Sequence, residues 1–196
     1  FAYACLAGSA FFGLVFRHSL ADAAARAAEP MGAGFTLLAL VTGSLWGRPM
    51  WGAWWVWDAR LTSELILFLF YVGYLALQAA IDDEAKADRA ASILALVGAI
   101  NLPIVHYSVV WWNSLHQGES IFVKGGPLLS AVYLWPLALM ALAYTLGFGA
   151  LWLMRIRAEV WRRRAGALAV QAARRWGNTP STSWRPTASA PWPSRS

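Results

Sequence analysis

Between Trp46 and Arg60 the chain reads Trp-Gly-Arg-Pro-Met-Trp-Gly-Ala-Trp-Trp-Val-Trp-Asp-Ala-Arg, and five of its 13 tryptophans fall in this stretch: Trp46, Trp51, Trp54, Trp55 and Trp57. Gly47, Pro49 and Gly52 imply a structured turn rather than a loose connector. Flat indole faces gathered on a turn suit a large planar apolar ligand, which gains stacking and apolar burial there. The same indoles also suit the headgroup zone of a bilayer, where tryptophans form an aromatic belt. A belt needs one or two per helix end and has no use for so many in consecutive loop positions. From residue types alone both readings stay open.

A second stretch, residues 101–118, adds Trp111, Trp112, His106 and His116. A neutral imidazole nitrogen can ligate a haem iron. The spacing of the two histidines fits no zinc-site pattern such as HExxH. His116 lies beyond the apolar run beside Gln117 and Gly118, where a surface ligand can reach it, whereas His106 sits inside the run near Pro103 and reads as a packing residue. Asp58 precedes an apolar segment and suits a helix N-cap, where a carboxylate meets free N–H groups and the positive end of the dipole. Arg60 can pair with Asp58 or Glu64, or meet an anionic group of a ligand.

The elements that must carry these residues are written in the composition. The 196 residues are 59% hydrophobic and 13% charged, with mean hydropathy +0.47. Soluble domains run at roughly 45–50% apolar and about 25% charged. Five apolar segments stand out, at residues 1–16, 31–45, 61–80, 91–110 and 128–154. Each approaches the length of about 20 residues that crosses a bilayer as a helix. Strict alternation of apolar and polar residues, the mark of a membrane β-barrel, is absent. The fold class expected is an all-α, polytopic bundle of five transmembrane helices. Residue 1 is Phe, already inside an apolar run with no basic leader, so the chain is expected to be N-terminally truncated.

Connecting segments then alternate sides. Residues 17–30, 81–90 and 155–175 hold two, two and seven Lys or Arg, against three (Arg48, Arg60 and Lys124) in the segments bearing the tryptophans. The positive-inside rule puts the first group in the cytoplasm and the tryptophan loops outside. The net charge of +6 therefore reflects topology and anionic lipid rather than nucleic acid. Residues 155–175 can lie as a basic helix on the membrane surface. Residues 176–196, rich in Pro, Ser, Thr and Trp, are expected to be disordered. The single cysteine, Cys5, excludes an internal disulfide, and no CxxCH haem-attachment motif occurs.

The run Trp51-Gly-Ala-Trp-Trp-Val-Trp-Asp-Ala-Arg-Leu-Thr-Ser-Glu64 resembles the WWD signature of the haem-handling membrane proteins of cytochrome c maturation, and Asp-Ala-Arg-Leu-Thr looks like their CcmC branch. The resemblance continues through Leu40-Val-Thr-Gly-Ser-Leu-Trp-Gly-Arg-Pro-Met50, Asn101-Leu-Pro-Ile-Val-His-Tyr-Ser-Val109 and Trp111-Trp-Asn-Ser-Leu-His-Gln-Gly118. It implies six helices in the whole protein and a haem-handling domain over residues 1–154. It also implies haem b at the periplasmic face of the bacterial inner membrane. Trp51, Trp54, Trp55, Trp57, Asp58 and Arg60 would form the platform, with Trp111 and Trp112 nearby and His116 as axial iron ligand. A second axial histidine would lie upstream of Phe1, and topology keeps His18 from replacing it. The implied partners are the haem chaperone CcmE, the ABC-type subunits CcmA and CcmB, and the small CcmD. The chain has no phosphate-binding GxxxxGK[ST] loop, so ATP hydrolysis falls to a partner and a transfer role is expected rather than an enzyme's. Two alternatives are a transporter, which needs ionisable residues within its helices, and a scaffold anchored by its tryptophans.

Overall fold

A computed structural model describes residues 1–112, 116 and 129–177, with side chains to Arg175. Among these residues all regular structure is helical: α1 Ala2–Phe16, α2 Ser19–Trp51, α3 Ala59–Ala80, α4 Glu84–Ala99, α5 Asn101–Trp112 and α6 Ala131–Gly177. Three stretches, Ala59–Ala80, Glu84–Trp112 and Ala131–Arg175, are long and apolar enough to cross a membrane, and α1 is a shorter apolar helix. The arrangement is that of a helical membrane bundle. Helices are what lipid permits, because they satisfy their own backbone groups.

Short-range chemistry sets the boundaries. Nδ1 of His18 accepts from the Leu20 amide at the start of α2, and Asp58 and Asp83 cap α3 and α4. The Lys86 amide, followed by that of Ala85, draws the exposed Asp83 carboxyl below its ordinary range. Arg17 turns the chain out of α1 in the left-handed conformation, φ 50°.

Two expected boundaries move. Residues 17–30 were expected to be a connector, because charges interrupt the apolar pattern; instead Ser19 opens a 33-residue helix. Its first turns are rich in alanine, the best helix former. One of their charged residues finds partners on other helices: Arg26 bonds Asp88 at 2.8 Å and approaches Glu159 at 3.5 Å. Gln78 also donates to Asp88, at 3.0 Å. The segment expected at residues 91–110 lies within a longer span, Glu84–Trp112, broken at Ile100. Pro103 has no N–H for the helix ladder there, and Asn101 uses its side chain to reach the Ser63 carbonyl on α3 at 2.8 Å.

Burial is distributed as in a membrane protein. Large apolar side chains such as Leu38, Val41, Leu69, Val132 and Leu146 are exposed, facing where lipid would be. The interior is built from small residues and tyrosines: Ala7, Ala10, Ala25, Ala28, Ala91 and Ala95 with Tyr3, Tyr71 and Tyr74. Small residues let helices approach closely where no hydrophobic effect drives them together. α1 packs on α2 and α4, and α3 on α2, α4 and α5. Tyr3 meets Tyr71 edge to face, ring centroids 4.9 Å apart, a geometry worth about 0.5–1.5 kcal/mol beyond its buried area.

The chain divides into two compact units, Phe1–Val160 and Trp161–Ser196. Within the first, α6 is held by Trp152, which donates to the Ala24 carbonyl at 2.8 Å, and by Arg155, which donates to that of Ala27 at 3.2 Å. Both acceptors lie in the turns of α2 preceding Pro30, whose missing N–H leaves a gap in the helix ladder. In the second unit, Arg164 lies over the Trp161 ring at 5.6 Å. The tail expected from residue 176 to 196 falls outside the described residues beyond Gly177.

Two glycines mark the closest approaches. A Cβ on Gly32 would collide with the Tyr71 ring, and one on Gly98 with Tyr3 and Phe70. Gly8 and Gly147 have nothing nearby. Gly32→Val and Gly98→Val should each lower stability by about 1–3 kcal/mol through overpacking. Gly147→Val should change it by less than about 0.5 kcal/mol. Thermal unfolding of the detergent-solubilised protein measures the difference.

Candidate functional site

The tryptophan-rich residues straddle a helix end, a turn and a helix start. α2 does not stop at Leu45 but continues through Trp46 to Trp51, so the turn proper is Gly52 to Asp58. Gly52 sits in the left-handed region at φ 77° and its N–H bonds the Arg48 carbonyl at 3.0 Å, closing the last turn of α2. A left-handed residue at this position is a common helix stop, and glycine adopts it without strain. Ser44 reaches across the turn to the Trp54 carbonyl at 2.6 Å. The turn is thereby tied to the helix it leaves.

The rings are ordered by these constraints. Trp46 meets Trp51 edge to face at 5.7 Å, and Trp55 meets Trp57 likewise at 5.5 Å. The Arg48 guanidinium lies over the Trp54 ring at 4.9 Å, within range of a cation–π contact. Gly47 is buried under Trp51: a Cβ there would lie 3.1 Å from the indole. Trp54 and Trp57 are exposed, while Trp51 and Trp55 are half-buried. The indole N–H of Trp55 is buried without a hydrogen-bond partner among the described residues.

Asp58 is the hinge of the site. Its Oδ1 accepts from the Leu61 amide at 2.8 Å, capping α3, as the local sequence suggested. Its Oδ2 lies 2.9 Å from Nδ1 of His116. The same imidazole stands edge-on to Trp51, centroids 4.8 Å apart at 67°. Both side chains are largely enclosed, Asp58 10% and His116 23% exposed. The structure thus unites His116, Asp58 and Trp51 across the end of α2 and the start of α3.

The other candidates make different contacts among the described residues. Trp111 and Trp112 are exposed at the end of α5, and their ring contacts run along that helix, Trp111 stacking on Tyr107 at 5.4 Å and meeting Trp112 at 5.7 Å. Arg60 forms no side-chain hydrogen bond or salt bridge with Asp58 or Glu64 among the described residues. His106 faces Tyr107 on α5, centroids 4.7 Å apart. His18 caps the opposite end of α2 from Trp51, roughly 50 Å away along a helix of this length.

What the sequence did not reveal is the Asp58–His116 contact, because the partners are 58 positions apart with a helical hairpin between them. The one local hint is a carboxylate ending a tryptophan run. Groups of three or more His, Cys, Asp or Glu suited to hold a metal ion are absent among the described residues.

Residues 1–171 match the family model described as heme exporter protein C. The heme exporter protein C of Bradyrhizobium diazoefficiens is 59% identical over 162 residues, covering 83% of this chain and 62% of that protein. The protein of that name in Escherichia coli K12 is 61% identical over 118 residues, or 60% of this chain and 48% of the relative. That of Paracoccus denitrificans is 49% identical over 156 residues, 79% and 65% respectively. The chain thus spans between about half and two thirds of the length of these relatives.

Gly52 offers a test of the turn. Gly52→Val forces a β-branched residue into the left-handed region, at a cost of about 1–2 kcal/mol. Denaturant unfolding should register that loss, and the tryptophan emission should shift as the indoles lose their fixed surroundings.

Proposed function

Because the chain belongs to the heme exporter protein C family, we propose that it holds haem b at the outer face of the bacterial inner membrane and presents it to CcmE during cytochrome c maturation. The observation that carries this reading is His116, oriented by Asp58 and Trp51 beside the Trp46–Trp57 array. The residues fit a haem cargo. An imidazole held at one nitrogen by a carboxylate is a common iron ligand. Trp51, Trp54, Trp55 and Trp57 supply flat apolar surface for a porphyrin, and the Trp55 N–H, which has no partner among the described residues, and the Arg60 guanidinium can meet its propionates. Trp111 and Trp112 would border the cargo from α5.

In this role the protein does no covalent chemistry. His116 binds iron, the indoles exclude water from the porphyrin faces, and Arg60 offsets negative charge. Release follows when a competing ligand on CcmE displaces His116. Energy for release comes from the ATP-hydrolysing CcmA with CcmB, and CcmD completes the complex. Residues 1–154 form the haem-handling domain, and the basic residues 155–175 lie on the cytoplasmic side against anionic lipid.

The full-length protein, purified in detergent from cells with ample haem, should carry a Soret band. His116→Ala should abolish most of it, and Trp51→Ala together with Trp54→Ala should weaken haem retention by about tenfold or more, as loss of stacked aromatic area implies. Co-purification with CcmE should depend on haem supply. Full-length protein that never contains haem under these conditions would refute the proposal.

A further inference from the structure

The Asp58 carboxylate makes two bonds at once, and they join a helix start to an imidazole far away in sequence. Oδ1 accepts from Leu61 N at 2.8 Å, and Oδ2 lies 2.9 Å from His116 Nδ1. Building on the haem-holding role, we infer that Asp58 is a positioning residue that fixes which ring nitrogen of His116 faces the cargo.

The argument is one of donors and acceptors. An ionised carboxylate can only accept, so the bond requires the hydrogen to sit on Nδ1. In the neutral imidazole the lone pair is then on Nε2, the atom that must ligate iron. Rotation of the ring is restrained a second time by Trp51, whose edge-on contact at 4.8 Å lies across the imidazole. The carboxylate is itself immobile, because its other oxygen is bound to the first turn of α3. That turn follows directly on the turn that carries Trp54, Trp55 and Trp57. Platform and ligand are therefore set by one side chain, and the distance between them is fixed by the start of α3. Carboxylate support of this kind also raises the basicity of a ligating imidazole.

The two arms can be separated by substitution. Asp58→Asn keeps a good N-cap, its amide oxygen accepting from Leu61. It then turns an N–H₂ donor towards His116 Nδ1, which selects the opposite tautomer, with hydrogen on Nε2. Asp58→Ser also caps the helix but is too short to reach the imidazole, and it serves as the second variant. Helix content and melting temperature by circular dichroism establish that both variants fold.

Two readouts follow on the full-length protein. In haem-free protein with ¹⁵N-labelled histidine, His116 (identified by its loss in His116→Ala) should resonate as the Nδ1–H tautomer in wild type and as Nε2–H in Asp58→Asn. In haem-loaded protein, Asp58→Asn and Asp58→Ser should lower haem affinity by about 10- to 100-fold, the usual effect of removing such a partner. The iron–imidazole stretch should shift or vanish with it. An unchanged tautomer in Asp58→Asn, or wild-type affinity and stretch in both variants while His116→Ala loses haem, overturns the inference and leaves the haem-holding role intact. A tautomer that switches as expected in a protein that never binds haem leaves the positioning in place and defeats that role instead.

Discussion

In lipid no water competes for the backbone, and several contacts between the helices of this chain are side-chain donors bonded to a carbonyl of another helix. Two side chains of α6, Trp152 and Arg155, donate to the Ala24 and Ala27 carbonyls of α2. The break at Ile100 brings Asn101 against the Ser63 carbonyl of α3. Where α2 ends, Gly52 N–H and Ser44 Oγ close on the Arg48 and Trp54 carbonyls. Three of these donors, Asn101, Trp152 and Arg155, come from another helix, so their bonds also fix how helices meet.

The tryptophan-rich turn takes its order from the Gly52 and Ser44 bonds. A turn tied at both ends holds its rings in definite positions. Asp58 extends the order to His116, since a carboxylate engaged by a helix terminus has little freedom left to follow its second partner. An imidazole edge-on to Trp51 and bonded at Nδ1 is held by two contacts. Trp54 and Trp57 are exposed beside the half-buried Trp51 and Trp55.

The legible parts of this structure are those governed by neighbours in sequence. The helical class, the span Ala59–Ala80 and the cap at Asp58 all follow from runs of residues and from one carboxylate before an apolar segment. The start of α2 was hidden because Asp22, Arg26 and Glu29 look like solvent-facing residues of a connector. Arg26 takes its partners from α4 and α6, Asp88 and Glu159, and Glu29 is buried. The Asp58–His116 contact was hidden for the same reason: no local pattern records which distant segment returns to a helix start. Trp111 and Trp112 were placed with the other tryptophans by composition, yet their ring contacts stay within α5.

Within the first unit, α6 meets the other helices along one line of residues. Phe148 meets Phe1 at 5.3 Å and Trp152 at 5.9 Å, Trp152 and Arg155 bond α2, and Glu159 approaches Arg26. These residues recur at the spacing that keeps one face of a helix in view. Around the rest of its circumference Val132, Leu139, Met140, Leu146 and Leu153 are exposed. Sequence drift on this helix should therefore be lopsided. Most of its positions can exchange one apolar residue for another of any shape, since lipid adapts to each, while the four along the line are bound to their present chemistry. Evolutionary freedom is in this sense a property of the helix face rather than of the helix.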